Sequence, residues 1–313
     1  MRGLIIGRPR LALGVAAVWM TVTLAACGSP PEHRTVSASL PASAHAVVAA
    51  PVRIAHTRLG TVGYRVVGTG PPLILITGYT ATMDSWDPRF VGALAKHYRV
   101  VIFDNAGVGR TQALPAPLTI DAMANQTSAL IDTLGLDTPD VLGWSMGGTI
   151  AQALAVLHPA QVRRLVLCAT FPGTGKTAPP SQAAVKALTS GNVQEVMADL
   201  FPANQAAAQQ AYLAATAAYP PHAPAGAAAI AAQGHATNVW LGGTDSAGQK
   251  IATISAPTLI ADGTTDRLDP VANDYALAQL IRGARLKLYP DAGHAFLFQD
   301  EKAFVPLLES FLR

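Results

Sequence analysis

From residue 73 onward, short apolar runs alternate with amphipathic stretches of helical length, and this alternation leaves few folds open to the chain. The runs are "LILIT" (Leu73 to Thr77), "RVVIFD", "DVLGW", "RRLVLCA", "APTLIADG" and "ARLKLYP". Continuous apolar segments this short, bounded by turn residues, suit strands covered on both faces. Between them stand "DSWDPRFVGALAKH", "IDAMANQTSALIDTLGL", "MGGTIAQALAVLH", "VANDYALAQLIRG" and, last, "DEKAFVPLLESFL", whose apolar spacing suits helices. Strands and helices in strict alternation imply parallel pairing with helices on both faces, so the fold class is a doubly wound, mostly parallel α/β sheet. The alternating runs in "VRIAHTRLGTVGYRVVG", from Val52, predict a β-hairpin ahead of it.

The alternation stops at Phe171 and resumes after about Ser255. The interruption is rich in Ala and Pro, with helical stretches in "SQAAVKALTSGNVQEVMADLF" and "NQAAAQQAYLAATAAY". Ligands of such sheets bind beyond the carboxyl ends of the strands, so an insert there reads as a helical cap over a pocket rather than a peripheral decoration. The chain is 50% hydrophobic and 13% charged, enough for one large core, and its net charge of +3 is spread without a basic stripe. Nucleic acid is not an expected partner; a small molecule is.

"VLGWSMGGTI" places Ser145 where a buried strand gives way to a helix. Gly143-Trp144-Ser145-Met146-Gly147 fits G-x-S-x-G in the strand-turn-helix setting that gives the motif its meaning: small neighbours permit a sharp turn that lifts the hydroxyl clear of the sheet. At the helix start the Met146 amide is unpaired and can face a developing oxyanion. On these residues, and on "FDNAGVGRT" at Phe103 to Thr111, the chain resembles the α/β-hydrolase superfamily from about Val52 to its end, most nearly the esterase, peroxidase-like and lactonase branch.

The resemblance implies a nucleophile, acid and histidine in that chain order. It implies His294, in "YPDAGHAFLFQD", as the base that takes the Ser145 proton, and Asp266, in "ADGTTDRLDP", as the carboxylate that orients it. Asp262 and Asp269 stand close enough to Asp266 to compete for that role and otherwise read as turn residues. A second oxyanion donor comes, in the family, from a loop that often reads His-Gly-X. Here it reads Thr77-Gly78-Tyr79, which keeps the Tyr79 backbone donor but loses the histidine that helps brace the loop, so Thr77 either substitutes through its hydroxyl or merely ends a strand. Trp144 is a candidate for the acyl pocket or the cap contact, and Asp104 reads as a brace for the "NAGVG" loop. Neither metal nor organic cofactor is expected, since H-E-x-x-H, C-x-x-C and G-x-x-x-x-G-K-[ST] are all missing.

The N-terminus carries Arg2, Arg8 and Arg10, then an apolar run from Leu11 to Ala26 that is short for a membrane span. "LAAC" (Leu24 to Cys27) resembles the lipobox of bacterial lipoproteins, in which the cysteine receives a diacylglyceryl group and becomes the first residue of the mature chain. An ordinary secretory signal or a retained anchor helix are the alternatives. The expected organisation is a signal peptide at 1–26, a lipidated Cys27 with a flexible tether to residue 50, and a hydrolase domain at 51–313, held at the extracytoplasmic face of the cell membrane. Cys168, in an apolar strand, reads as core. The expected activity is ester hydrolysis through an acyl-enzyme; an amidase or aminopeptidase, for which the cap offers only Glu195, Asp199 and Asp245, and a non-catalytic binding lipoprotein are the rivals.

Overall fold

The computed structural model describes residues 40–190 and 192–313. The expected signal peptide, Cys27 and the expected tether up to residue 39 lie outside the described residues. The last part of the expected tether differs from expectation: Ala42–Ala49 form a helix, α1, with Ala44 and Val47 fully buried. Small side chains let α1 lie directly on α2 (Pro88–Leu94), where a Cβ at Gly92 would collide with the Ser43 backbone. Alanines in an isolated stretch show no amphipathic period, which is why this helix is invisible until its partner is in place.

The predicted hairpin is present as β1 (Arg53–Thr57) and β2 (Gly60–Val67), paired antiparallel. It precedes β3 (Pro72–Ile76), β4 (Arg99–Phe103), α3 (Ile120–Thr133), β5 (Asp140–Trp144), α4 (Met146–Leu157) and β6 (Leu165–Cys168). The insert supplies α5 (Gln182–Thr189), α6 (Val193–Leu200), α7 (Ala206–Thr216) and α8 (Ala227–Leu241). The chain then completes the sheet with β7 (Thr258–Gly263), α9 (Ala272–Leu280), β8 (Arg285–Tyr289), α10 (Phe296–Gln299) and α11 (Glu301–Leu312).

The eight strands run in the order β1-β2-β4-β3-β5-β6-β7-β8, parallel from β4 onward. Alternate residues of the central strands feed two separate cores. Leu73, Leu75, Val100, Ile102 and Leu142 pack under Trp86, Phe90, Phe298 and Phe304 on one face. Ile74, Ile76, Val101, Val141 and Leu167 pack under α3, α4 and Leu277 on the other. Both faces being covered is what the continuous apolar runs required. β8 is the exception: among the described residues it pairs only with β7, and Arg285 and Lys287 occupy its outer positions, a charged edge that discourages further pairing. Cys168 is a fully buried core residue.

Candidate active site

The turn from β5 into α4 is built by exclusion. A Cβ at Gly143 would fall on the Gly147 carbonyl, and one at Gly147 on the Ile76 carbonyl oxygen, so strand and helix approach more closely than any side chain allows. Ser145, between them, has φ +59° and ψ −126°, a conformation that costs a non-glycine residue of the order of 1–3 kcal/mol and persists only when its surroundings fix it. They do: its amide donates to the Cys168 carbonyl (2.9 Å), and its carbonyl accepts from Gly148 N (2.8 Å) and Thr170 Oγ1 (2.8 Å). Met146 begins α4, so its N–H has no intrahelical acceptor, while its side chain is buried in the core.

Asp266 lies in the loop after β7, and His294 in the loop between β8 and α10. His294 Nδ1 stands 2.6 Å from Asp266 Oδ2, with His294 only 3% exposed. The other oxygen, Oδ1, accepts from the amides of Leu268 (2.7 Å) and Asp269 (2.8 Å), so the carboxylate is fixed at both ends. Trp144 holds the histidine loop from below, donating from Nε1 to the His294 carbonyl at 2.9 Å, and its ring packs against Phe298 and His294. It therefore lines the cavity and also anchors the loop, the second of which no sequence signal announced.

Asp262 is not a turn residue, whereas Asp269 does lie in the bend after β7. Asp262 is inside β7, and both are fully buried together with Asp274 of α9, the carboxylate oxygens of the three lying within 4.8 Å of one another. Burial, then the neighbouring carboxylates, raises the pKa of Asp262 and Asp269, and burial pushes Asp274 up to about 8. The group stands behind Asp266, whose carboxylate is the one that reaches His294.

Ser145 and His294 open on one cavity of about 430 Å³ beneath the cap. Its floor includes Gly78, Tyr79 and Met146, and a Cβ at Gly78 would lie 3.1 Å from Ser145 Cβ, which places the Gly78 loop against Ser145. The cap contributes apolar walls, among them Val185, Leu188, Val196, Met197 and Leu200, opposite a more polar stretch of α8 with Thr237 and Asn238. No Lys, Arg, Asp or Glu lines it among the described residues. Of the cap acids, Asp199 pairs with Arg267 (3.3 Å) and Asp245 accepts from the Ile120 amide (3.1 Å), and neither they nor Glu195 reach the cavity.

Asp104 braces two loops through the amides of Met83 (2.7 Å) and Arg110 (2.9 Å). Thr77 does not brace the oxyanion loop: its buried hydroxyl has no hydrogen-bond partner among the described residues, and β3 ends one residue before it. The backbone there is held instead by Asn105 Nδ2 on the Thr77 carbonyl, at 2.8 Å.

The family model described as alpha/beta hydrolase fold matches residues 71–301. The chain belongs to the alpha/beta hydrolase family. This hydrolase is 29% identical over 258 residues to a 2-hydroxy-6-oxo-2,4-heptadienoate hydrolase of Pseudomonas putida, covering 79% of this chain and 90% of that one. Among solved structures it resembles an alpha/beta hydrolase fold protein from Chitinophaga pinensis, with a TM-score of 0.74 and 28% identity over 85% of this chain and 98% of the other. It also resembles the enol-lactonase from Burkholderia xenovorans LB400, with a TM-score of 0.67 and 27% identity over 83% and 99% of the two chains.

Proposed function

We propose that this hydrolase cleaves neutral carboxylic esters with an apolar acyl group, through Ser145, His294 and Asp266, and that lipid on Cys27 holds it at the membrane. The observation that carries the catalytic reading is that Ser145 and the Asp266-bound His294 line the same charge-free cavity. His294 Nε2 takes the Ser145 proton as Oγ bonds to the ester carbonyl carbon. The oxyanion that forms is met by the backbone amides of Tyr79 and Met146. As it collapses, the bond to the alcohol oxygen breaks and His294 returns the proton to that oxygen, leaving an acyl-enzyme. Water, deprotonated by the same imidazole, then releases the acid. Asp266 holds the imidazole with Nε2 toward the serine and stabilises its charge throughout.

The described lining, which holds no cationic side chain, supports a neutral substrate. The Pseudomonas putida relative is named for a heptadienoate, an anion; the described lining of this cavity offers a carboxylate no cationic partner, and burying a charge without one is costly. The test is hydrolysis of p-nitrophenyl butyrate by the full-length chain beside Ser145→Ala, with a p-nitrophenyl ester whose acyl chain ends in a carboxylate as comparison. Substitution of the serine is expected to reduce kcat by at least about 10⁴-fold, and the anionic ester to be the poorer substrate. Equal rates in wild type and variant would remove Ser145 from the chemistry; preference for the anionic ester would overturn the substrate class.

A further inference from the structure

The loop that would supply the Tyr79 donor is held at its start by Asn105 on the Thr77 carbonyl, and beyond Tyr79 it leans on the cap. Thr80 sits at φ +56°, in the left-handed region that a β-branched residue occupies only under constraint. The Thr77 hydroxyl does not reach it, having no hydrogen-bond partner among the described residues, and Asn105 holds only the start of the loop, at the Thr77 carbonyl. The constraint comes from the cap. Gln233, on α8 and fully buried, accepts from the Thr80 amide through Oε1 (2.8 Å) and donates from Nε2 to the Ala106 carbonyl (3.0 Å). One side chain thus ties the oxyanion loop, the loop after β4 and the cap together across 153 and 127 residues of chain.

A turn of helix earlier, the Ile230 carbonyl accepts from Tyr79 Oη at 2.9 Å. The helix can come this close because residue 234 is glycine: a Cβ there would stand 3.3 Å from the Tyr79 hydroxyl. Holding the Thr80 amide fixes the peptide that follows Tyr79, and holding the Tyr79 side chain fixes the residue from its other end. Both contacts restrict the rotation of the residue that carries the Tyr79 N–H.

We propose that Gln233 is a positioning residue for the oxyanion hole, so that the cap, besides walling the cavity, holds one of the hole's two backbone donors in place. Its catalytic consequence rests on the ester-hydrolase reading above; the bracing itself does not. Preorganised donors are worth most when they need not move as charge develops, so loosening Tyr79 weakens transition-state binding more than substrate binding.

The test compares Gln233→Met, which keeps length and loses both hydrogen bonds, with Trp240→Phe, which removes a different cap contact, the indole donor to the Phe171 carbonyl at 3.2 Å. Both are made in the full-length chain. Amide hydrogen exchange over Tyr79 to Ala81 is expected to quicken about tenfold or more in Gln233→Met and to stay at the wild-type rate in Trp240→Phe. With p-nitrophenyl butyrate, Gln233→Met is expected to lose about tenfold in kcat with KM within twofold, a fraction of the 10²–10³ lost when a donor is deleted outright. Trp240→Phe is expected to lower Tm and leave kcat in place. Unchanged exchange in Gln233→Met, or a kcat loss no larger than that of Trp240→Phe, would overturn the proposal. Exchange is read without substrate, so a wild-type chain inert toward esters would sink the ester reading and still leave the bracing decided.

Discussion

At the scale of single residues, the site is set by where side chains are missing as much as by where they are present. Gly147 is the sharpest case, because its α-carbon lies against the Ile76 carbonyl and a methyl group has nowhere to go but into β3. Gly147→Ala is expected to cost about 2 kcal/mol or more, as overpacking a rigid contact does, and to lower Tm by about 5 °C; a calorimetric trace matching wild type would show that strand and helix can separate at no cost. The elbow motif points to Ser145 and the family resemblance to His294 and Asp266, and His294 and Asp266 do meet. Neither points to Gln233, because a glutamine in an Ala-rich helix carries no local signal, and its two acceptor and donor partners are known only once the cap is folded back over the sheet.

At the scale of elements, the junction of β7 and α9 concentrates buried acid. Asp274 holds its proton up to about 8 against an ordinary value of 3.8, chiefly through burial. A pKa raised by folding means that the folded state binds the proton more tightly than the unfolded chain. The associated stability is fully present below about 3.8 and is lost as pH rises toward 8. Asp245, pushed up to about 7 by burial and its neighbour Asp121, acts in the same direction. Asp274→Asn removes one of these titrations, so its Tm is expected to fall less steeply than the wild-type value between pH 4 and 8, the two curves diverging by about 3 °C or more across that range. Parallel curves would show that Asp274 is ionised in the fold at neutral pH. Neither Asp262 nor Asp269 could be recognised as buried from sequence, since a run such as "ADGTTDRLDP" reads as polar turn until β7 is found to extend through Asp262.

At the scale of the whole molecule, the ordered packing reaches at least nine residues further toward the N-terminus than composition suggested, from 51 back to Ala42, because α1 packs on α2 and the Ala50 carbonyl receives a hydrogen bond from the buried Arg65. Twelve residues separate Cys27 from Leu40, a reach of at most about 40 Å, so a lipid on Cys27 would keep the domain close to the bilayer that anchors it. Two acyl chains suffice for lasting attachment. Cys27→Ala is expected to move the protein from the membrane to the soluble fraction on cell fractionation, with kcat toward p-nitrophenyl butyrate unchanged. A variant that stays in the membrane fraction would instead favour a retained helical anchor.

The sequence by itself determined the layered α/β architecture, the cap as an insert and the elbow at Ser145, because strand burial, helix periodicity and a glycine-bounded turn are local patterns that need no partner to be read; Asp266 and His294 came only through the resemblance to the family. Only the tertiary structure decided which aspartate among Asp262, Asp266 and Asp269 faces His294, that Trp144 holds the His294 loop, and that the cap reaches down through Gln233 to the Thr80 amide. Those are contacts between segments far apart in the chain. Each depends on the direction in which a side chain leaves its backbone after the sheet has twisted and the cap has closed, and no local spacing encodes that direction.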